Sequence, residues 1–268
     1  MKKFLVLAVC FAMLFCFTAE AFAEGDGSLQ KVLDRGVLRV GAEGNWSPYV
    51  YNEPDGTLVG FEVEMAAAIA EKLGVGIEEN PSDSWDGVLA GLEANRYDVV
   101  ICGASPNPAR QEAYEVTQPY GEQLIALVVS EKNEDIKEWS DLKGKISANS
   151  LTSSSGNIAR NYGAELVEAS LEEAMMLIRD GRADCHVNDA AAINAYMAAN
   201  PNAGVKIALY YTPENAYEIQ SAAIIKKGNV ELRDAIDQAI SELIEEGTAY
   251  ELCVKYFGKD FADNVTLY

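Results

Sequence analysis

The chain alternates short apolar runs with segments whose apolar residues return every three or four positions. Residues 38–41 (LRVG) read as a buried strand ending in a turn. Phe61, Met65, Ile69 and Leu73 follow at helical spacing, with Gly74 as the stop. A second helix, predicted over residues 86–95, leads into the apolar strand 99–102. Strand and helix in alternation predict an α/β fold with a mostly parallel sheet. Further on, Ser170-x-x-Glu173 is a capping box opening a helix that Gly181 closes. Residues 229–257 read as two helices broken at Gly247, with Leu232, Ile236, Ile240, Leu243 and Ile244 as their apolar stripe.

Leu92-x-x-x-Arg96-x-Asp98, before one strand, is echoed by Ile178-x-x-x-Arg182-x-Asp184 before CHVND. Each is helix, short turn, strand, and the echo predicts two similar Rossmann-like α/β lobes. The apolar strand 124–129 (LIALVV) is the expected crossing between them, and a return crossing falls near 221–225. Lobe one is then residues 36–125 plus 222–268, and lobe two residues 126–221. Two crossings make a hinge across a cleft.

Charge removes whole classes of function. Among 268 residues there are 42 Asp plus Glu against 21 Lys plus Arg, a formal charge of -21 at pH 7. No basic run follows Lys2 and Lys3, so nucleic acid is not an expected partner. Lys2 and Lys3, the apolar run 4–17 and Ala21-Phe22-Ala23 make residues 1–23 a secretory signal peptide. The run is shorter than the ~20 residues a bilayer core requires, so no transmembrane helix is expected in the mature chain. Cys10 and Cys16 follow Val9 and Phe15 rather than the small residue of a lipobox, which favours plain cleavage over lipidation. Cys102, Cys185 and Cys253 are left, odd in number and without CxxC spacing, so neither a disulfide framework nor a zinc site is expected. With one histidine and no GxSxG, HExxH or Gly-rich phosphate loop, the sequence calls for no cofactor, metal or catalytic residue. His186, beside Cys185 but on the opposite strand face, reads as packing.

What remains is a constellation at strand ends. The turn SPNPARQ puts Ser105 and Arg110 after the strand 99–102, and CHVND ends in Asn188 and Asp189. Ligands of open parallel sheets sit beyond the carboxyl ends of strands, near helix amino termini. An arginine there can grip a carboxylate through two parallel hydrogen bonds, and an aspartate facing it can take an ammonium. Together they are the electrostatic negative of a free α-amino acid. The hydroxyls of SLTSSSG precede a helix start, where they suit a carboxylate. Trp46, Tyr49 and Trp85 could wall the pocket. Read singly, Arg110 is an ordinary helix-start arginine, Asp189 an N-cap, Glu43 a solvated strand-end acid, and both tryptophans core.

The segments LRVGAEGNWSPYVY, GTLVGFEVEMAAAIAEKLGV, SWDGVLAGLEANRYDVV, the P-x-R turn, SDLKGK, GRADCHVND and EEGTAYELCVKYFG occur in the order found in the periplasmic polar-amino-acid-binding proteins of ABC importers. The chain resembles that family over about residues 36–258. The resemblance implies the type II periplasmic-binding-protein fold of two lobes joined by two hinge strands. It casts Arg110 as the carboxylate clamp, Asp189 as the amine acceptor and Ser105 as the hydroxyl beside the arginine. Trp46 and Trp85 become walls, Glu43 an acid near the ligand side chain, and Thr152, Ser153 and Ser154 the lobe-two loop. SLTSS and NPNAGVKI resemble the cystine-binding branch, although Gly103-Ala104 stands where cystine binders carry longer polar residues. The family role is that of a monomeric, extracytoplasmic protein that closes on a free amino acid and hands it to a membrane permease. The alternative on the same scaffold is a cyclohexadienyl or arogenate dehydratase, for which Glu43 is the candidate acid.

Overall fold

The computed structural model describes residues 25–265; the expected signal peptide, with Cys10 and Cys16, lies outside the described residues. Two five-stranded sheets form the frame. In the first, Gly76–Ser82, Val37–Glu43 and Val99–Ala104 lie side by side and parallel; Gln220–Lys226 follows antiparallel, and Tyr114–Glu122 closes the edge. The second repeats the pattern, with Glu165–Val167, Ile146–Ala148 and Cys185–Asp189 parallel, Ile125–Ser130 antiparallel, and Val205–Tyr210 at the edge. The fourth place in each sheet is filled by the strand that has just arrived from the other sheet. The expected mostly parallel sheets therefore contain one reversed strand each, because a chain entering from the opposite side of the cleft runs the other way.

The crossings themselves fall just before the strands expected to make them. Ile125–Ser130 and Gln220–Lys226 sit wholly inside their sheets, so the chain changes sheet at residues 123–124 and again across 211–219.

The sequence echo marks one physical device used twice. In the first sheet the Arg39 N–H donates to the Asp98 carboxylate (2.9 Å), and in the second the Ile146 N–H donates to Asp184 (2.8 Å). Each aspartate follows a left-handed residue, Asn95 (φ 56°) or Gly181 (φ 70°), that ends the preceding helix. In both lobes it ties the new strand to its parallel neighbour. Asp98 also binds the side chains of Arg35 and Arg39.

Helices cover the sheets where periodicity predicts them. Phe61–Lys72 buries Phe61, Met65 and Ile69; Val230–Glu245 buries Leu232, Ile236, Ile240 and Leu243, and Gly247 (φ 87°) breaks it from Thr248–Phe257. Leu171–Arg179 opens with the Ser170/Glu173 capping box. The first sheet has one continuous core. The second has a core on each face, built around alternate residues of Ile125–Ser130. Among the described residues no helix is long and apolar enough to cross a membrane, Cys102, Cys185 and Cys253 are buried free thiols, and no side-chain cluster could hold a metal ion.

Candidate functional site

The carboxyl ends of both sheets meet across a cavity with about 760 Å³ of atom-free space, part of it open to solvent. That size suits a small metabolite. Arg110 comes to its wall through local chemistry in the SPNPARQ turn. Asn107 caps the helix Pro108–Ala113 by accepting the Arg110 N–H (2.9 Å), and Pro108 fills the first helical position, where no N–H is needed. The guanidinium then folds back, donating to the Ser105 carbonyl (2.7 Å) and stacking 5.2 Å from the Trp85 ring centre.

Arg110 is 7 % exposed, and none of the ion pairs among the described residues includes it. Burial pulls its pKa down to about 10. A guanidinium stripped of water and left without a counter-charge is a receptor for an anion. From the opposite lobe, the Ser154 hydroxyl approaches it at 3.4 Å. Ser153 caps the helix Ser154–Asn161 by accepting the Gly156 N–H, so that helix start faces the same space.

Two acids share the wall. Glu43 ends its strand and accepts the backbone N–H of Trp85; burial pushes its carboxyl up to about 7, helped by the nearby Asp86 and Glu168. Glu218, in the return crossing, takes the Tyr211 hydroxyl and the N–H groups of Glu214 and Asn215. Arg110 is the one cation among the lining residues.

Of the expected site residues, Arg110, Ser105, Trp46, Trp85, Glu43, Gly103, Ser153 and Ser154 line the cavity. Asp189, Thr152 and Tyr49 do not. Asp189 is fully buried: one carboxylate oxygen takes the N–H groups of Ala191 and Ala192, capping the helix Ala190–Ala199, and the other takes Leu124 N–H at the crossing. Its duty here is structural. Tyr49 stacks on Trp46 at 4.1 Å behind the wall, and its hydroxyl, near Asp189, makes no well-formed hydrogen bond. Thr152 bonds Asp86 across the rim, tying the lobes instead of facing inward. Gln123, Asn149, His186, Asn188 and Glu218 also line the cavity and were not among the expected contacts. No periodicity marks the crossings that hold Gln123 and Glu218. His186, read as packing, does pack, yet its ring also reaches the cavity.

Gly103 has a double reason to be glycine. Its φ is +59°, and a Cβ there would lie 2.5 Å from the Trp46 ring and 2.6 Å from Gln123 Nε2. The longer residue expected of a cystine binder is displaced by that indole. Gly103→Ala is expected to lower stability by about 1–3 kcal/mol, read as a drop in calorimetric melting temperature.

A buried cation and hydroxyl-rich helix starts at the facing ends of two α/β sheets define a hinged, ligand-enclosing binding protein. Residues 38–259 match the bacterial extracellular solute-binding proteins, family 3, and the chain belongs to that family. It is 33% identical over 261 residues to a probable amino-acid ABC transporter-binding protein of Haemophilus influenzae, covering 97% of this chain and 99% of that one. It is 34% identical over 240 residues to the L-cystine-binding protein TcyA of Bacillus subtilis, covering 88% and 87%. Among solved structures, an ancestral arginine-binding protein bound to arginine superimposes with a TM-score of 0.75 at 36% identity, covering 84% of this chain and 99% of that one. The chain is therefore an amino-acid substrate-binding component of an ABC transporter, secreted as its family is, and not an enzyme.

Proposed function

We propose that the protein binds L-cystine between its lobes, in the periplasm or at the cell surface, and as a monomer delivers it to a membrane permease. The unpaired, buried Arg110 guanidinium carries this reading, because an amino-acid carboxylate supplies the charge it lacks. Ser105 and Ser154 flank that carboxylate. Cystine has an ammonium and a carboxylate at each end, and the two wall acids, Glu43 and Glu218, suit the ammonium groups. Asp189, locked behind Asn188, supports the wall from within. The likeness to a protein named for L-cystine binding favours cystine over other polar amino acids.

Closure is a rotation of the second sheet and its helices about the crossings at 123–124 and 211–219. Polar contacts that cross the closed cleft include Trp46 to Asn188, Asp86 to Thr152 and Arg110 to Ser154. The dehydratase reading is weaker. The two relatives named above, matched over 97% and 88% of this chain, are binding proteins.

The test is a thermal-shift screen of residues 24–268 against L-cystine, L-arginine, L-glutamine and the remaining amino acids. Ligand at 100 times its Kd adds about 2.7 kcal/mol. L-cystine is expected to raise the midpoint by several degrees. A response to L-arginine alone would refute cystine, and no response to any of the panel would refute the site.

A further inference from the structure

Among the residues lining the cavity, Trp46, Asn188 and His186 form with the Ala148 carbonyl a hydrogen-bonded chain whose directions are forced. Asn188 Oδ1 lies 3.2 Å from Trp46 Nε1 and 2.7 Å from the Asp189 N–H, both of which can only donate. The amide oxygen must therefore sit there, and the Nδ2 group must face the His186 ring, 3.1 Å from Nε2. An amide NH₂ can only donate, so Nε2 must accept. His186 Nδ1, 2.5 Å from the Ala148 carbonyl, must then carry the ring's proton. The chain ends in a fixed acceptor and admits one tautomer of a neutral imidazole.

It also joins the lobes. Ala148, His186 and Asn188 belong to the second sheet, whereas Trp46 follows the first strand of the first sheet, stacked on Tyr49. We propose that His186 is a positioning residue for cleft closure: as a neutral Nδ1–H imidazole it aims the Asn188 amide oxygen at the Trp46 indole of the facing lobe, and a proton on the ring breaks that bond.

The chemistry of the break is direct. A second ring proton puts Nε2–H against the Nδ2 hydrogens. The amide can relieve that clash only by turning over, which sets its NH₂ against the indole N–H and the Asp189 N–H. Two accepted bonds are lost, and the one that spans the cleft is among them. The titratable groups that share the cavity or the strand with the ring are Glu43, Cys102 and Arg110 from the first lobe, Glu218 from the return crossing, and Cys185 and Asp189 on its own strand. None of them sets the ring's proton affinity. Burial lowers it to about 4, and the bond to Ala148 opposes part of that drop. The device depends on the two facing sheets and not on which amino acid fills the cleft.

Because the chain has a single histidine, its ring gives one unambiguous NMR signal. The experiment is a titration of ligand-free residues 24–268 from pH 7.5 to 3.5, following that signal and the indole N–H of Trp46, which is identified by its disappearance in Trp46→Phe. The ring is expected to titrate well below pH 6.5, and the Trp46 indole signal to shift toward its solvent-exposed position with the same midpoint. At pH 7 its exchange with solvent is expected to be at least about tenfold slower than in Asn188→Ala. In His186→Gln the step tied to the ring should vanish. Asn188→Ala, a change at the cavity wall, gives the same comparison if the glutamine variant does not fold. The proposal is overturned if the indole signal stays still while the ring titrates, if it sits at its exposed position already at pH 7, or if both variants keep the wild-type step.

Discussion

Arg110→Met protein is expected to bind its amino acid roughly 10²–10³-fold more weakly than wild type and yet to melt at the same temperature or higher when no ligand is present. The two effects have one cause. In the complex, the arginine answers a buried carboxylate; without it that carboxylate is desolvated and unpaired, which costs about 3–5 kcal/mol. In the empty protein the same guanidinium is the uncompensated charge. Desolvation pulls its pKa from the ordinary arginine range down to about 10. For a base, a depressed pKa means that folding opposes the charged form, a penalty present at every pH below about 10, and of about 3 kcal/mol by this shift. Methionine fills similar space beside Trp85 without that penalty. Arg110→Lys keeps the charge but not the planar fork, so its affinity should lie between the two. Calorimetric titration with L-cystine and scanning calorimetry of the empty proteins give both readings. Unchanged affinity in the methionine protein would remove Arg110 from the site, and a large drop in its melting temperature would make the arginine a structural residue.

Arg110 was legible because its position rests on local signals: a strand end, an asparagine cap and a proline at the first helical residue. The aspartate clamps after Leu92 and Ile178 were legible as a repeat before their hydrogen-bonding role could be known. Asp189 shows where such reading stops. An aspartate before AAAINAYM is visibly a cap, but only the fold shows that the crossing at Leu124 takes its second oxygen and leaves none for the cavity. His186 fails for a different reason. Strand alternation places it opposite Cys185 without saying which face borders the cleft, and its function depends on Trp46, 140 residues earlier in the chain. Gly103 is similar, since its small size answers to the same indole. Local signals fix caps and turns. Contacts made only when two lobes meet leave no periodic trace.

The empty protein is expected to be more stable at pH 5 than at pH 8, by about 4 kcal/mol, which corresponds to a rise on the order of 10 °C in melting temperature. Burial pushes Glu43 and Glu62 to about 7 and Asp189 to about 6. An acid whose folded pKa lies above its unfolded value of about 4 binds its proton more tightly when folded. Each of the three therefore loses stability as pH rises from about 4 through its folded pKa. His186 works in the other direction: its folded pKa of about 4 lies below the ordinary 6.5, so the fold loses stability as pH falls between those values. Three acids outweigh one histidine. A formal charge of -21 at pH 7 adds self-repulsion that acid also relieves. Glu62 isolates the effect, because it lies outside the ligand cavity, takes the Tyr120 hydroxyl at 2.6 Å on one oxygen and leaves the other buried without a partner. Glu62→Gln cannot ionise, and it is expected to remove about 2 kcal/mol of the difference between pH 5 and pH 8, mainly by stabilising the protein at the higher pH. Scanning calorimetry of both proteins at the two pH values reads this directly. A wild-type melting temperature that climbs from pH 5 to pH 8 would show that these carboxyls are ionised at little cost inside the fold, and would remove the premise that the cavity holds Glu43 poised near neutrality for a cationic group.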